Sequence, residues 1–127
     1  MQTIGKGTKF MFSIGVTGLG EMSLADNDVN FKVDFYARQK KDSIVTGHYT
    51  VRKSDQDNAF PNQEDENSYF VICDTTGLDL GTVCATLEIE YTDEDTGARL
   101  KELIPLTSQV AIIDAPQAPD GNGAQNE

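Results

Sequence analysis

The chain is poor in several residue types on which common protein functions depend. Its 127 residues include no Trp, one His and two Cys, and its ten basic residues are outnumbered by 21 acidic ones. His48 has no Ser or Cys at a spacing that is typical of a nucleophile, so the sequence gives no basis for a catalytic triad. It has no glycine-rich phosphate loop and no paired cysteines of the kind that hold zinc. We therefore expect a protein that is not an enzyme, with no catalytic, cofactor-binding or metal-binding residues.

Charge and hydropathy restrict the class of partner. The formal net charge of −11 argues against nucleic acid, because phosphate binding needs a basic surface that releases counterions. No apolar run approaches the roughly 20 residues that a membrane-spanning helix needs, and the stretch from Met1 to Lys9 is too polar for a signal peptide. We expect no nucleic-acid partner, no membrane partner, and a soluble protein made in a reducing cytoplasm.

The charges are also unevenly spread along the chain. Residues 1–53 hold eight basic and five acidic residues, whereas residues 54–127 hold two basic and sixteen acidic ones. In an interleaved sheet these charges would simply mix. If they stayed apart, the polar molecule could stack head to tail on its own copies. The sequence leaves both arrangements open.

Apolar and polar residues alternate with a period of two along most of the chain, which predicts strands that are buried on one face. The clearest example is residues 29–36, where Val29, Phe31, Val33 and Phe35 alternate with more polar side chains. Pro105 should place its strand on a sheet edge or near the strand's end. With turns every 8 to 15 residues, the pattern predicts an all-β, two-layer immunoglobulin-like β-sandwich of about seven strands. The predicted strands lie at about residues 10–16, 29–36, 44–51, 68–73, 83–91, 99–106 and 110–113.

The sequence predicts one domain with short extensions. The β-sandwich should span residues 8–113, preceded by an N-terminal arm at residues 1–7. Residues 114–127 are predicted to be a flexible acidic tail, because no apolar residue after Asp114 is larger than Ala. A long polar loop is expected at residues 53–67, and loops of that length are usually functional or mobile.

Cysteines and clustered acids offer the few candidates for chemistry. Cys73 and Cys84 fall inside apolar runs and are predicted to be buried free thiols, although a disulfide between neighbouring strands stays open. Acid clusters at residues 26–28, 55–57 and 93–95 are expected to be solvated turns. The alternative is calcium binding, since flexible loops can supply several oxygen ligands, but none of the three has the EF-hand spacing.

Six segments of the sequence occur in a characteristic order: Lys6 to Phe10, Val29 to Tyr36, Ser68 to Thr75, Leu80-Gly81, Tyr91 to Asp95 and Gly97 to Arg99. This order resembles that in small virion proteins of tailed phages that infect gut anaerobes, including the crAss-like phages. The likeness covers roughly residues 5–113, and its motifs are structural. It implies an immunoglobulin-like module attached to the capsid, as a head fibre or decoration protein, or alternatively to the tail or baseplate. It brings no catalytic residue.

The resemblance implies a non-enzymatic structural protein of the virion, assembled in the host cytoplasm. Its partners would be other virion proteins and its own copies, as a homo-oligomer held by terminal arms or sheet edges. The main alternative is a carbohydrate-binding or adhesin-like sandwich that uses exposed aromatic rings. The lack of Trp weakens this alternative, because sugar platforms favour large flat rings. The candidate sugar-binding residues of this alternative are Tyr36, Tyr49, Phe60 and Tyr69.

Overall fold

In the computed structural model, which describes residues 1–20 and 22–114, the chain forms two β-sheets and, within those residues, no helix. The all-β class is therefore confirmed. The larger sheet has the strand order β1-β8-β7-β3-β4 and the smaller sheet β2-β6-β5. Paired strands are antiparallel except for β1 and β8, which are parallel. The strands are β1 (Gln2–Gly5), β2 (Lys9–Gly15), β3 (Asn30–Arg38), β4 (Tyr49–Arg52), β5 (Ala59–Pro61), β6 (Ser68–Asp74), β7 (Gly81–Thr92) and β8 (Arg99–Ile113).

The two sheets share one apolar core, and β3 lies at its centre. Phe31, Val33 and Phe35 are buried, as the alternation predicts. Aromatic rings join the sheets edge to face: Phe12 of β2 lies 5.5 Å from Phe35, and Phe31 lies 5.0 Å from Tyr69 of β6. Such pairs add to the stabilisation that area burial alone provides.

The smaller sheet is too narrow to cover the larger one, and loops supply part of the missing cover. Leu19 and Leu24, between β2 and β3, and Leu78, between β6 and β7, are buried. Asn67 holds the first of these loops, because its side-chain oxygen accepts a hydrogen bond from the Leu24 N–H and its backbone carbonyl accepts one from the Val16 N–H. The core therefore extends past the strands into ordered loops.

The N terminus and the last strand differ from the sequence-based prediction. Residues 2–5 of the expected arm form β1, which pairs with residues 110–113 of β8. The two strands predicted at 99–106 and 110–113 are one strand, β8. Its pairing with β7 is irregular at one point, between Thr82 and Cys84 of β7. There the Ser108 hydroxyl donates to the Val83 carbonyl at 2.7 Å, which supplies a bond that the irregular ladder lacks.

The middle of the chain also departs from the predicted strands. Only residues 49–51 of the run at 44–51 belong to a strand, β4, because Asp79 accepts hydrogen bonds from the backbone of Thr46 and Gly47 and holds them as loop. The long loop at 53–67 contains the short strand β5. Pro105 lies in the part of β8 that β1 does not reach, so its predicted edge position is confirmed. Of the predicted tail, residues 115–127 lie outside the described residues.

Replacing Phe31 with Ala should lower the free energy of unfolding by about 3–5 kcal/mol, through lost transfer energy and the cavity left behind. Phe31 is 4 % exposed and contacts Tyr69. Phe60→Ala is the matched control, because Phe60 is 36 % exposed, and it should cost less than about 1 kcal/mol. Urea denaturation measures both. A cost below about 1 kcal/mol for Phe31→Ala would contradict the register of β3.

Gly81 begins β7 at a position that no other residue fits. Its φ is +122°, and a Cβ atom there would lie 2.3 Å from the backbone carbonyl of Arg38. Gly81→Ala should therefore destabilise the protein by more than about 2 kcal/mol, through backbone strain and the clash together. Gly77→Ala is the control, since its Cβ would meet nothing within 4 Å, and it should change stability by less than about 1 kcal/mol. Thermal or urea melts in which the two variants lose equal stability would contradict this account.

Candidate binding surfaces

The outward face of the smaller sheet carries an apolar patch that runs across all three strands. Met11 of β2 lies directly opposite Ile72 of β6, and Phe70 of β6 lies opposite Phe60 of β5. Directly opposed residues in antiparallel strands share a sheet face, with Cβ atoms about 5 Å apart. The four side chains therefore form one continuous surface, called here the small-sheet patch.

The small-sheet patch is exposed, although its residues are of the kind found in cores. Met11 is 57 % and Phe60 36 % exposed, while Phe70 and Ile72 are half-buried and do not pack against the core. Its rim is polar, since Lys9 lies opposite Asp74 at one end and Ser13 lies opposite Phe70. An apolar centre with a polar rim is the usual composition of a protein interface.

The outward face of the larger sheet is polar instead. Asp34 accepts hydrogen bonds from His48 Nδ1 at 2.8 Å and from the Thr50 hydroxyl at 3.0 Å. The centroid of the His48 ring lies 5.8 Å from that of the Tyr36 ring. The Arg38 guanidinium also lies 5.8 Å from the Tyr36 centroid. Within the described residues no Ser, Thr or Cys side chain hydrogen-bonds to His48, so the cluster lacks the paired nucleophile and base of a hydrolase site.

A cleft of about 450 Å³ lies at the end of the larger sheet beside the loop before β3. Its two cations hold that loop: Lys53 Nζ donates to the carbonyls of Asp26 and Val29, and Arg99 donates to the carbonyl and carboxylate of Asp28. The Thr92 N–H and Arg99 lower the pKa of Asp28, and burial lowers the pKa of Lys53. Because these cations are already bonded to the protein's own oxygens, we interpret the cleft as structural.

The acid clusters singled out in the sequence are used to close turns. Asp26 accepts from the N–H and hydroxyl of Ser23, Asp55 accepts from the Asp57 N–H, and Asp93 accepts from Thr96. Such side-chain to backbone bonds are the ordinary role of Asp in turns. In residues 1–20 and 22–114, no group of three or more His, Cys, Asp or Glu side chains is arranged to hold a metal ion.

The four aromatic candidates for a sugar platform are dispersed. Tyr36 lies on the outward face of the larger sheet and Phe60 on the outward face of the smaller one. Tyr49 and Tyr69 pack against or within the core. The sequence reasoning missed Met11, Phe70 and Ile72. The available signal was the run Tyr69 to Cys73, which is apolar on both strand faces.

No protein-family model, curated protein or solved structure matches the chain. The described part of the chain contains no helix with the length and hydropathy that a membrane span requires.

The two cysteines are free thiols in different surroundings. Cys73 is buried on the inward face of β6, as predicted, and burial raises its pKa to about 12. Cys84 is only half-buried, because it alternates with the buried Val83 and Ala85 and so lies on the outward face of β7. The strands belong to different sheets, and the two side chains face different environments.

We expect a thiol reagent at pH 8 to modify Cys84 and to leave Cys73 unmodified in the native protein. A thiol with a pKa of about 12 is ionised in only about one molecule in 10⁴ at that pH, and only the thiolate reacts. Mass spectrometry after brief maleimide treatment should show one adduct, and two after denaturation. Cys84→Ser is the control and should leave no rapidly modified thiol. Rapid modification of Cys73 in this variant would contradict the burial of its side chain.

Proposed function

We propose that the protein is a non-enzymatic structural and binding module of a phage virion, attached to the capsid as a head fibre or decoration protein. The single observation that carries a binding role is the small-sheet patch, because exposed apolar side chains across a whole sheet face cost solubility unless a partner covers them. The virion context is proposed from the resemblance carried by the sequence segments between residues 5 and 113.

We further infer that the two sheets form an immunoglobulin-like sandwich. The order β2-β6-β5 corresponds to strands B-E-D of that fold, and β8-β7-β3-β4 corresponds to G-F-C-C′. The short β1 then takes the place of a first strand that pairs with the last. The eight strands also follow one another along the chain in the order that this assignment requires, which supports it.

The proposed location is the virion, with assembly in the host cytoplasm. The proposed partners are other virion proteins, together with further copies of the chain as a homo-oligomer. A virion component is repeated many times, and an isologous contact through an apolar face would bury the same patch on both copies. Attachment to the tail or baseplate instead of the capsid uses the same surface, so the patch does not distinguish between them.

Purified virions of the phage that encodes the chain should contain it in many copies, as quantified by mass spectrometry against the major capsid protein. Added to virions that lack it, the full-length chain should bind, and Ile72→Asp should weaken this binding at least about tenfold by placing a charge in the apolar contact. Thr50→Asp, on the outward face of the larger sheet, is the control and should bind normally. Absence of the chain from virions would overturn the virion role, and equal binding by both variants would overturn the role of the patch.

A further inference from the structure

The strand edges left open by the described residues are protected to very different degrees. β5 has three residues and contains Pro61, β1 and β4 have four residues each, and the free part of β8 contains Pro105 and several charges. β2 is seven residues long, has no proline and no bulge, and its only charge is Lys9 at its first position. Natural sheets normally blunt a long edge of this kind with prolines, charges or bulges.

The backbone groups of β2 that face this edge can be identified from its pairing with β6. The Thr75 N–H donates to the Thr8 carbonyl and the Val16 N–H donates to the Asn67 carbonyl, which makes both of these residue pairs hydrogen-bonded ones. Hydrogen-bonded pairs alternate along an antiparallel ladder, so the even-numbered residues between them also point their backbone groups at β6. Met11 and Ser13 therefore point their N–H and C=O groups at the open edge.

A groove of about 410 Å³ lies beside these groups. Its floor is the inward side of β1 and β8, with Ile4 and Val110, and its wall is β2, with Phe10 and Phe12. Ile104, Leu106 and Val110 of β8 are only partly buried, because no strand of the smaller sheet lies over them. Unpaired backbone groups next to uncovered apolar side chains are the two features that an added β-strand would satisfy.

We propose that the open edge of β2 binds an extended segment of a different polypeptide, which adds a fourth strand to the smaller sheet. Met11 and Ser13 supply the backbone hydrogen bonds. The side chains that enter the groove are apolar, at alternate positions, because the residues lining the groove are uncharged. Lys6 and Lys9, at the end where β2 begins, already have Asp79 and Asp74 near them, so the groove selects the segment by its apolar side chains.

Charge and composition favour a segment of a different polypeptide over two other occupants of the groove, which are a second copy of the chain and the chain's own residues 115–127. A second copy would set a net charge of −11 against the same net charge along a short strand edge, without the broad apolar contact that the small-sheet patch offers to offset the repulsion. The chain's own residues 115–127 contain Pro116 and Pro119, which cannot donate a backbone hydrogen bond, and their other apolar side chains are all Ala, so they cannot fill the apolar groove. This inference does not depend on the virion role, since it follows from β2 and the groove alone.

The test uses the full-length chain and amide hydrogen exchange followed by NMR. In the free protein the amides of Met11 and Ser13 should exchange quickly, while those of Phe10 and Phe12 should be protected by β6. The probe is a synthetic peptide in which Val and Thr alternate, with Asp at each end, added to millimolar concentration. Exchange of the Met11 and Ser13 amides should then slow by at least about tenfold, with shift changes at Ile4 and Val110.

Met11→Pro removes the N–H at the open edge without removing a bond to β6, so it should remain folded and lose at least about tenfold in affinity for the peptide. Ile72→Thr, on the sheet face and with its backbone intact, is the control and should bind normally. The proposal is overturned if the peptide leaves exchange unchanged, or if Ile72→Thr alone loses binding. It is also overturned if the amides of Met11 and Ser13 are protected from exchange in the free chain. Light scattering would then show whether a second copy or the chain itself covers the edge.

Discussion

The structure depends on one geometric constraint, which is that a sheet of three strands must cover a sheet of five. The apolar face of the larger sheet exceeds what β2, β5 and β6 can bury, so loops must close the core. Loops carry unpaired backbone groups, and burying them is costly unless each group finds a partner. Thr75 shows how this is met: it is fully buried, its hydroxyl donates to the Thr8 carbonyl at 2.8 Å, and it accepts from the Gly7 N–H at 3.0 Å.

Sequence patterns predicted the strands that bury one face along their whole length. β3 is the best example, because each inward residue from Phe31 to Phe35 faces a buried partner on β7. β1 and β5 were not predicted, since three or four residues are too few to show a period of two. The strand expected at 44–51 was too long, because its first part is a loop that Asp79 holds and in which Ile44 is 86 % exposed. Such contacts between distant segments leave no local signal.

The binding surfaces were harder to predict than the core for a related reason. Phe70 and Ile72 lie in a run that is apolar on both faces, and the sequence alone does not distinguish a strand buried on both sides from one with an exposed apolar face. The groove beside β2 is set by which strands become neighbours, and that depends on topology. In contrast, the acidic turns could be read directly, because Asp bonds to backbone groups only two or three residues away.

The uneven charge of the sequence is resolved by strand order. β3 comes from the basic half and lies beside β7 from the acidic half, so Lys32 Nζ lies 3.7 Å from Glu88. Arg99 of β8, one of the two bases in the acidic half, lies 3.2 Å from Asp28 of the basic half. Mixing along the sheets is not complete, because the loops at residues 26–28, 64–66 and 93–95 all leave their strands at the same end of the molecule. At the opposite end Lys9 begins β2 and Arg38 ends β3, with Asp74 near Lys9 and Asp79 near Lys6. Charge is therefore only partly mixed between the two ends, so head-to-tail stacking stays a prediction beside contacts through the sheet faces and edges.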